Sequence, residues 1–156
     1  DSMLDSLKGN GNQYNIKAHV LNKKGNTVGE LVGGNLSVLY SLLGSESQLK
    51  TDEKILFIED LDEYLYHIDR MMMALKRAGM LRNLKALIVG GMSDMHDNEV
   101  PFGKTAEEII LDAVSEYDFP VCFNFPAGHL PDNHALVFGA SAEIEIVDQI
   151  YFKQTF

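Results

Sequence analysis

Two polar sites close apolar runs in this chain in a way that could do chemistry. Glu59 and Asp60 end the run KILFIE-D, residues 54–60, and His129 sits in PAGHLPDN, residues 126–133, directly after the apolar run 121–125. In α/β sheets, side chains at the C-terminal ends of strands emerge from the core into a crevice. Irregular loops held on a rigid scaffold are the other common seat of functional groups. A carboxylate that accepts a hydrogen bond from imidazole fixes its tautomer and stabilises the imidazolium, which is the acid–base half of a triad. Spacing alone leaves plainer readings open. Asp60 or Asp62 could cap a helix opening at Leu61, and a loop histidine is often inert.

Other chemistry-bearing stretches have structural explanations. Residues 98–105, NEVPFGKT, end in the Gly-Lys-Thr of a phosphate-binding loop. A Walker A loop needs glycine where Asn98 stands, and Pro101 removes a backbone donor. Thr105 and Glu108 instead make a capping-box pair opening a helix, so a nucleotide site is rejected. Ser93, Asp94, His96, Asp97 and Glu99 read as a solvated acidic loop. An EF-hand is excluded because its sixth position lacks glycine and its twelfth, Thr105, is not Glu. His67 falls on the polar face of a helix beside Glu63 and Arg70. His19, in the first strand, and His134, beside a turn, have no partner legible in the sequence. No metal and no cofactor are expected.

The elements that must hold Glu59 and His129 follow from periodicity. Residues 1–12 form a short amphipathic turn or helix ending at Gly9 and Gly11, a residual linker ahead of a domain over 13–156. Tyr14, Ile16, Ala18 and Val20 alternate as a strand. Residues 23–26 turn, and residues 28–32 form a second strand. Gly33 and Gly34 then open a helix, residues 36–43, with Asn35 as cap and Gly44 as stop. Residues 54–59 are a buried strand. Leu61, Tyr64, Leu65, Ile68, Met72 and Leu75 follow helical spacing, so a helix spans residues 61–78 and ends at Gly79. Residues 84–91 form another buried strand, and a helix runs from Thr105 through Tyr117. Residues 121–125 are a strand, 135–138 and 142–147 are two closing strands, and the tail 149–156 adds an edge strand. Buried strands alternating with helices point to a parallel layer, and alternating strands at both ends to an antiparallel layer beside it.

The whole-chain properties narrow the function. The 156 residues carry a formal net charge of −10, and their Lys and Arg do not cluster. Nucleic acid and anionic membranes are therefore unexpected partners, since both need a basic footprint. No apolar stretch reaches membrane-spanning length. Cys122, the one cysteine, can form no intrachain bridge, which suits a reducing compartment. Residues 1–11 lack a basic-then-apolar signal pattern. A cytoplasmic location is the expectation.

Residues 31–36 (LVGGNL), 55–60 (ILFIED), 87–94 (LIVGGMSD) and 125–131 (FPAGHLP), in that order, resemble the LD-carboxypeptidase family. That family includes murein tetrapeptide carboxypeptidases and microcin-immunity peptidases. The resemblance implies a serine peptidase with a Ser-Glu-His triad in that chain order, the serine on an N-terminal domain. Glu59 matches the family's triad acid and His129 its triad base. Asn35, with Gly34 before it, matches a family motif near the substrate, although a simple N-cap accounts for Asn35 equally well. The implied α/β fold is a swivelling β/β/α domain: a mainly parallel central sheet, a second antiparallel layer and packed helices. The implied substrate is a cytoplasmic muropeptide, cut at the L,D bond that releases terminal D-alanine in peptidoglycan recycling.

The sequence departs from the family in one respect: it contains no Gly-x-Ser-x-Gly-like elbow. Ser37 lies inside a helix, and Ser93 follows a strand with no helix behind it. The chain thus reads as the C-terminal domain alone, inert without a partner domain carrying the serine. Loss of that partner predicts an apolar exposed face near Glu59 and His129, and a homodimer that hides it. The rival expectation is a muropeptide-binding or dimerisation module without chemistry, or a microcin-immunity-type peptidase.

Overall fold

A computed structural model describes residues 2–155 of the chain. The elements in order are α1 (Ser2–Leu7), β1 (Asn12–Lys17), β2 (Gly25–Asn35), α2 (Leu36–Ser41), β3 (Ile55–Leu61), α3 (Leu65–Arg77), β4 (Ala86–Ser93), α4 (Ala106–Ala113), β5 (Val121–Cys122), β6 (Ser141–Ile146) and β7 (Gln149–Thr155). The seven strands run in the order β1-β7-β6-β2-β3-β4-β5. The first half of β2 pairs antiparallel with β6, and its second half pairs parallel with β3. One strand thus belongs to both layers.

Those layers stack as antiparallel sheet, parallel sheet and helices. Ile55, Phe57, Ala86 and Ile88 face Ala142, Ile144, Ile146, Ile150 and Phe152 of the antiparallel layer. Leu56, Ile58, Leu87 and Val89 face Leu39, Ile68, Met72, Leu75, Ile109 and Ile110 of the helices. Buried on both faces, β3 and β4 read as continuous apolar runs, whereas β6 and β7 alternate because one side meets water. Each large side chain so buried contributes roughly 1.5–3 kcal/mol.

Several expected boundaries move, each for a local reason. The first strand stops at Lys17, leaving Ala18 and Val20 outside it. β2 runs straight through Gly33 and Gly34 because it must pair with β3. A Cβ on Gly33 would sit 1.9 Å from the Phe57 carbonyl oxygen, so only glycine fits there. The helix expected from residue 61 begins at Leu65, since β3 continues through Leu61, which pairs with Ser93. The helix opened by the Thr105–Glu108 capping box is present but ends at Ala113. β5 is only Val121–Cys122, because Phe123 N–H donates to the Asn22 side chain instead of a strand.

Residues 135–138 form no strand. The Gln154 amide donates to the Val137 carbonyl and accepts from its N–H, so a side chain supplies what a neighbouring strand would have given. The tail strand β7 lies between β1 and β6 rather than at the edge.

Candidate active site

Glu59 ends the paired stretch of β2 and β3, opposite Asn35. It shares strand parity with Ile55 and Phe57, so its side chain points between the sheets, where the residue is only 5% exposed. One carboxylate oxygen, Oε2, accepts from the His129 ring at Nδ1 (2.7 Å) and from the His129 backbone N–H (3.2 Å). The same loop residue is thus gripped twice by one acid. The His129 ring is half exposed, with no hydrogen bond to Nε2 among the described residues. Glu59 raises the imidazole pKa above its ordinary value, first through the hydrogen bond and then through its charge. Desolvation opposes this, and the charge of Asp60 adds to it.

Gly128 makes the contact possible. Its φ of +105° suits glycine, and a Cβ there would lie 2.8 Å from the Glu59 carboxylate. Asn133 accepts from the Gly128 N–H (3.1 Å), and the His134 N–H donates to the Pro126 carbonyl (2.7 Å), closing the loop on itself. Gly34, Glu59, Gly128, His134, Leu136 and Phe138 border a cavity of about 310 Å³ beside the carboxylate. Nothing lies within 4 Å of where a Gly34 side chain would be, so its backbone is open to that space. Phe138, which borders the cavity, is exposed, as is Leu61 at the end of β3.

Asp60 does not cap the helix after it. Its carboxylate, 2% exposed, accepts from Asn35 Nδ2 (2.8 Å), Ser37 N–H (2.9 Å) and Leu61 N–H (2.9 Å). It therefore ties the start of α2 to the end of β3. Asn35 caps α2 as expected, its Oδ1 accepting from Val38 N–H (3.1 Å) and Ser37 Oγ (2.7 Å). Both atoms of the Asn35 amide are thereby engaged. Asp62 pairs with His96, and Glu63 with His67 at 2.7 Å. Among the described residues no group of three or more His, Cys, Asp and Glu side chains is placed to hold a metal ion, and no helix is long and apolar enough to cross a membrane.

Sequence reasoning missed the structural part of Asp60 and that of Ser93, whose Oγ donates to the His129 carbonyl (2.8 Å). The only signal for either was its place beside a site residue or inside a family-like segment.

The fold is thus a β/β/α domain that presents a carboxylate–imidazole pair at the end of its parallel sheet. Residues 28–144 match the LD-carboxypeptidase C-terminal domain, and the chain belongs to that family. It is 37% identical over 129 residues to the probable murein peptide carboxypeptidase of Bacillus subtilis (strain 168), covering 80% of this chain and 39% of that protein. The murein tetrapeptide carboxypeptidase of Pseudomonas aeruginosa is 29% identical over 128 residues, covering 81% and 41%. The chain therefore spans about two-fifths of the length of these relatives.

Among solved structures, the muramoyltetrapeptide carboxypeptidase of Oxalobacter formigenes superposes with a TM-score of 0.90 at 24% identity, covering 99% of this chain and 53% of that one. The microcin C7 self immunity protein MccF superposes at 0.76 with 23% identity, covering 86% and 40%. At these identities the likeness is one of fold.

Proposed function

We propose that this chain is the C-terminal domain of a serine carboxypeptidase that releases terminal D-alanine from cytoplasmic muropeptides during peptidoglycan recycling. The observation carrying the proposal is the 2.7 Å contact between Glu59 Oε2 and His129 Nδ1, with the His129 ring half exposed at the sheet edge. Glu59 holds the proton on Nδ1, which leaves Nε2 with the lone pair a general base needs.

In the complete protein, Nε2 takes the proton of a serine Oγ as that oxygen attacks the carbonyl of the L,D bond. Glu59 stabilises the imidazolium so formed. Nε2–H then protonates the departing amine of D-alanine, and a water repeats the sequence to free the acyl group. The serine belongs to an N-terminal domain outside residues 1–156. Supporting this, the nearby serine hydroxyls are already engaged, Ser37 with Asn35 and Ser93 with His129. Gly34 contributes open backbone to the substrate cavity. Asn35 acts there mainly by position, since its amide is occupied by Asp60 and the first turn of α2.

The murein reading takes precedence over the microcin-type one because a relative at 37% identity bears the name of a murein peptide carboxypeptidase. The likeness to MccF rests on fold. The test is D-alanine release from a muropeptide by the complete protein and by this chain alone. We expect turnover only in the complete protein, and a loss of about 10³-fold or more in Glu59→Ala and His129→Ala. Wild-type turnover in either variant would overturn the assignment.

A further inference from the structure

The end of β4 is shaped around the loop that carries His129. Ile58 of β3 pairs with Val89, but Asp60 pairs with Met92, so β4 holds one extra residue at Gly90 and Gly91. Such a bulge bends the strand and re-aims the side chains beyond it. Both glycines are in close contact with the loop. A Cβ on Gly90 would lie 2.5 Å from the Ala127 carbonyl oxygen, and one on Gly91 would lie 2.7 Å from Leu130 Cγ. The Gly91 N–H donates to the Ala127 carbonyl (3.1 Å). Residues 127–130 therefore lie flat against the strand end. There, Ser93 Oγ reaches the His129 carbonyl at 2.8 Å.

His129 is thereby fixed at three points. Glu59 accepts from its ring and from its N–H, and Ser93 donates to its carbonyl. The two grips differ in kind. Glu59 sets the ring's tautomer, whereas Ser93 touches only backbone and acts on the ring through the residue's own chain. Without Ser93, the peptide after His129 would keep only the bond from its Leu130 N–H to the Gly128 carbonyl (2.9 Å), and the His129 carbonyl side, with the imidazole it carries, would be free to shift relative to Glu59.

We infer that Ser93 is a positioning residue, seating His129 against Glu59 so that its Nε2 stays aimed at the reacting serine. As a statement about catalysis this rests on the peptidase reading above; as a statement about the His129–Glu59 pair it does not. Glu59 and Asp60, both on β3, are the charged groups acting on the ring.

The experiment compares wild type, Ser93→Ala and Ser93→Thr by NMR titration of the His129 ring in this chain, with circular dichroism to establish folding. The complete protein is then assayed on a muropeptide ending in D-alanine. In Ser93→Ala the His129 midpoint should fall toward the ordinary imidazole value, and in Ser93→Thr, which keeps the hydroxyl, it should return. In the assay, Ser93→Ala should lower kcat about 10- to 100-fold with KM little changed, the size expected when a catalytic group shifts by about an ångström.

An unchanged His129 titration in folded Ser93→Ala overturns the inference whatever the complete protein hydrolyses. A raised KM with wild-type kcat also overturns it. A lowered midpoint restored by threonine supports the seating of His129 even if muropeptides prove not to be substrates, so the two readings fail separately.

Discussion

Glu59 meets His129 through a single oxygen, whose two lone pairs accept from ring and backbone at once and hold the two together. Because the folded imidazole pKa is raised, the sign of its contribution is fixed. The pairing stabilises the fold fully below the unfolded value of about 6.5 and loses that contribution as pH rises through the folded value. Urea midpoints of wild type should therefore exceed those of His129→Ala by more at mildly acidic than at alkaline pH; a constant difference would contradict the pairing. Sequence reasoning named both residues from their positions, at a strand end and in a loop. It could not see that they meet, because 70 residues separate them in the chain and only the sheet brings them together. For Asp60 the sequence leaves open a cap on the following helix, which the structure does not show. Its carboxylate turns instead to α2, whose first-turn N–H groups lie across the sheet edge.

At the level of elements, that turn of Asp60 has a measurable cost attached. Removing a buried acceptor strands the donors it satisfied, at about 1–3 kcal/mol. Asp60→Ala should lower stability by that order and loosen α2, read as faster amide exchange at Ser37 and Val38. Wild-type exchange at both would contradict the link. Gly128→Ala should be damaging in a different way, placing a methyl against the Glu59 carboxylate at a φ that favours glycine. It should cost about 1–3 kcal/mol and displace the acid, visible as a lowered His129 titration midpoint. The elements themselves were largely legible. β3, β4 and the helical face of α3 follow directly from their apolar patterns. Boundaries failed where a long-range contact overrode the local pattern. Leu61 fits the helical spacing of α3 but pairs with Ser93, and Gly33 resembles a helix opener but lies against Phe57. Residues 135–138 have strand-like composition, and the Gln154 side chain takes the hydrogen bonds a strand would need.

In the whole molecule, β2 joins both sheets, and the core between them draws on residues from β1, β3, β4, β6 and β7. The layers should therefore unfold as one unit. Cys122 reports on this, since it is fully buried between them and burial pushes its thiol pKa far above the ordinary value. A thiol reagent should leave Cys122 untouched in the folded chain and modify it at the same urea concentration at which circular dichroism is lost. Reaction well before that point would mean the layers separate first. The layered architecture was foreseeable from the two kinds of strand pattern, but the sharing of β2 was not, since nothing in its sequence marks the change of partner at Leu31. The most direct test of the proposed function is D-alanine release by the complete protein as a function of pH, in wild type and Glu59→Gln. Because the base must be neutral, the wild-type rate should rise with pH through one ionisation above the ordinary imidazole value of about 6.5, and Glu59→Gln should lower the rate at least about 10³-fold. A Glu59→Gln protein with the wild-type rate and profile would contradict the triad assignment.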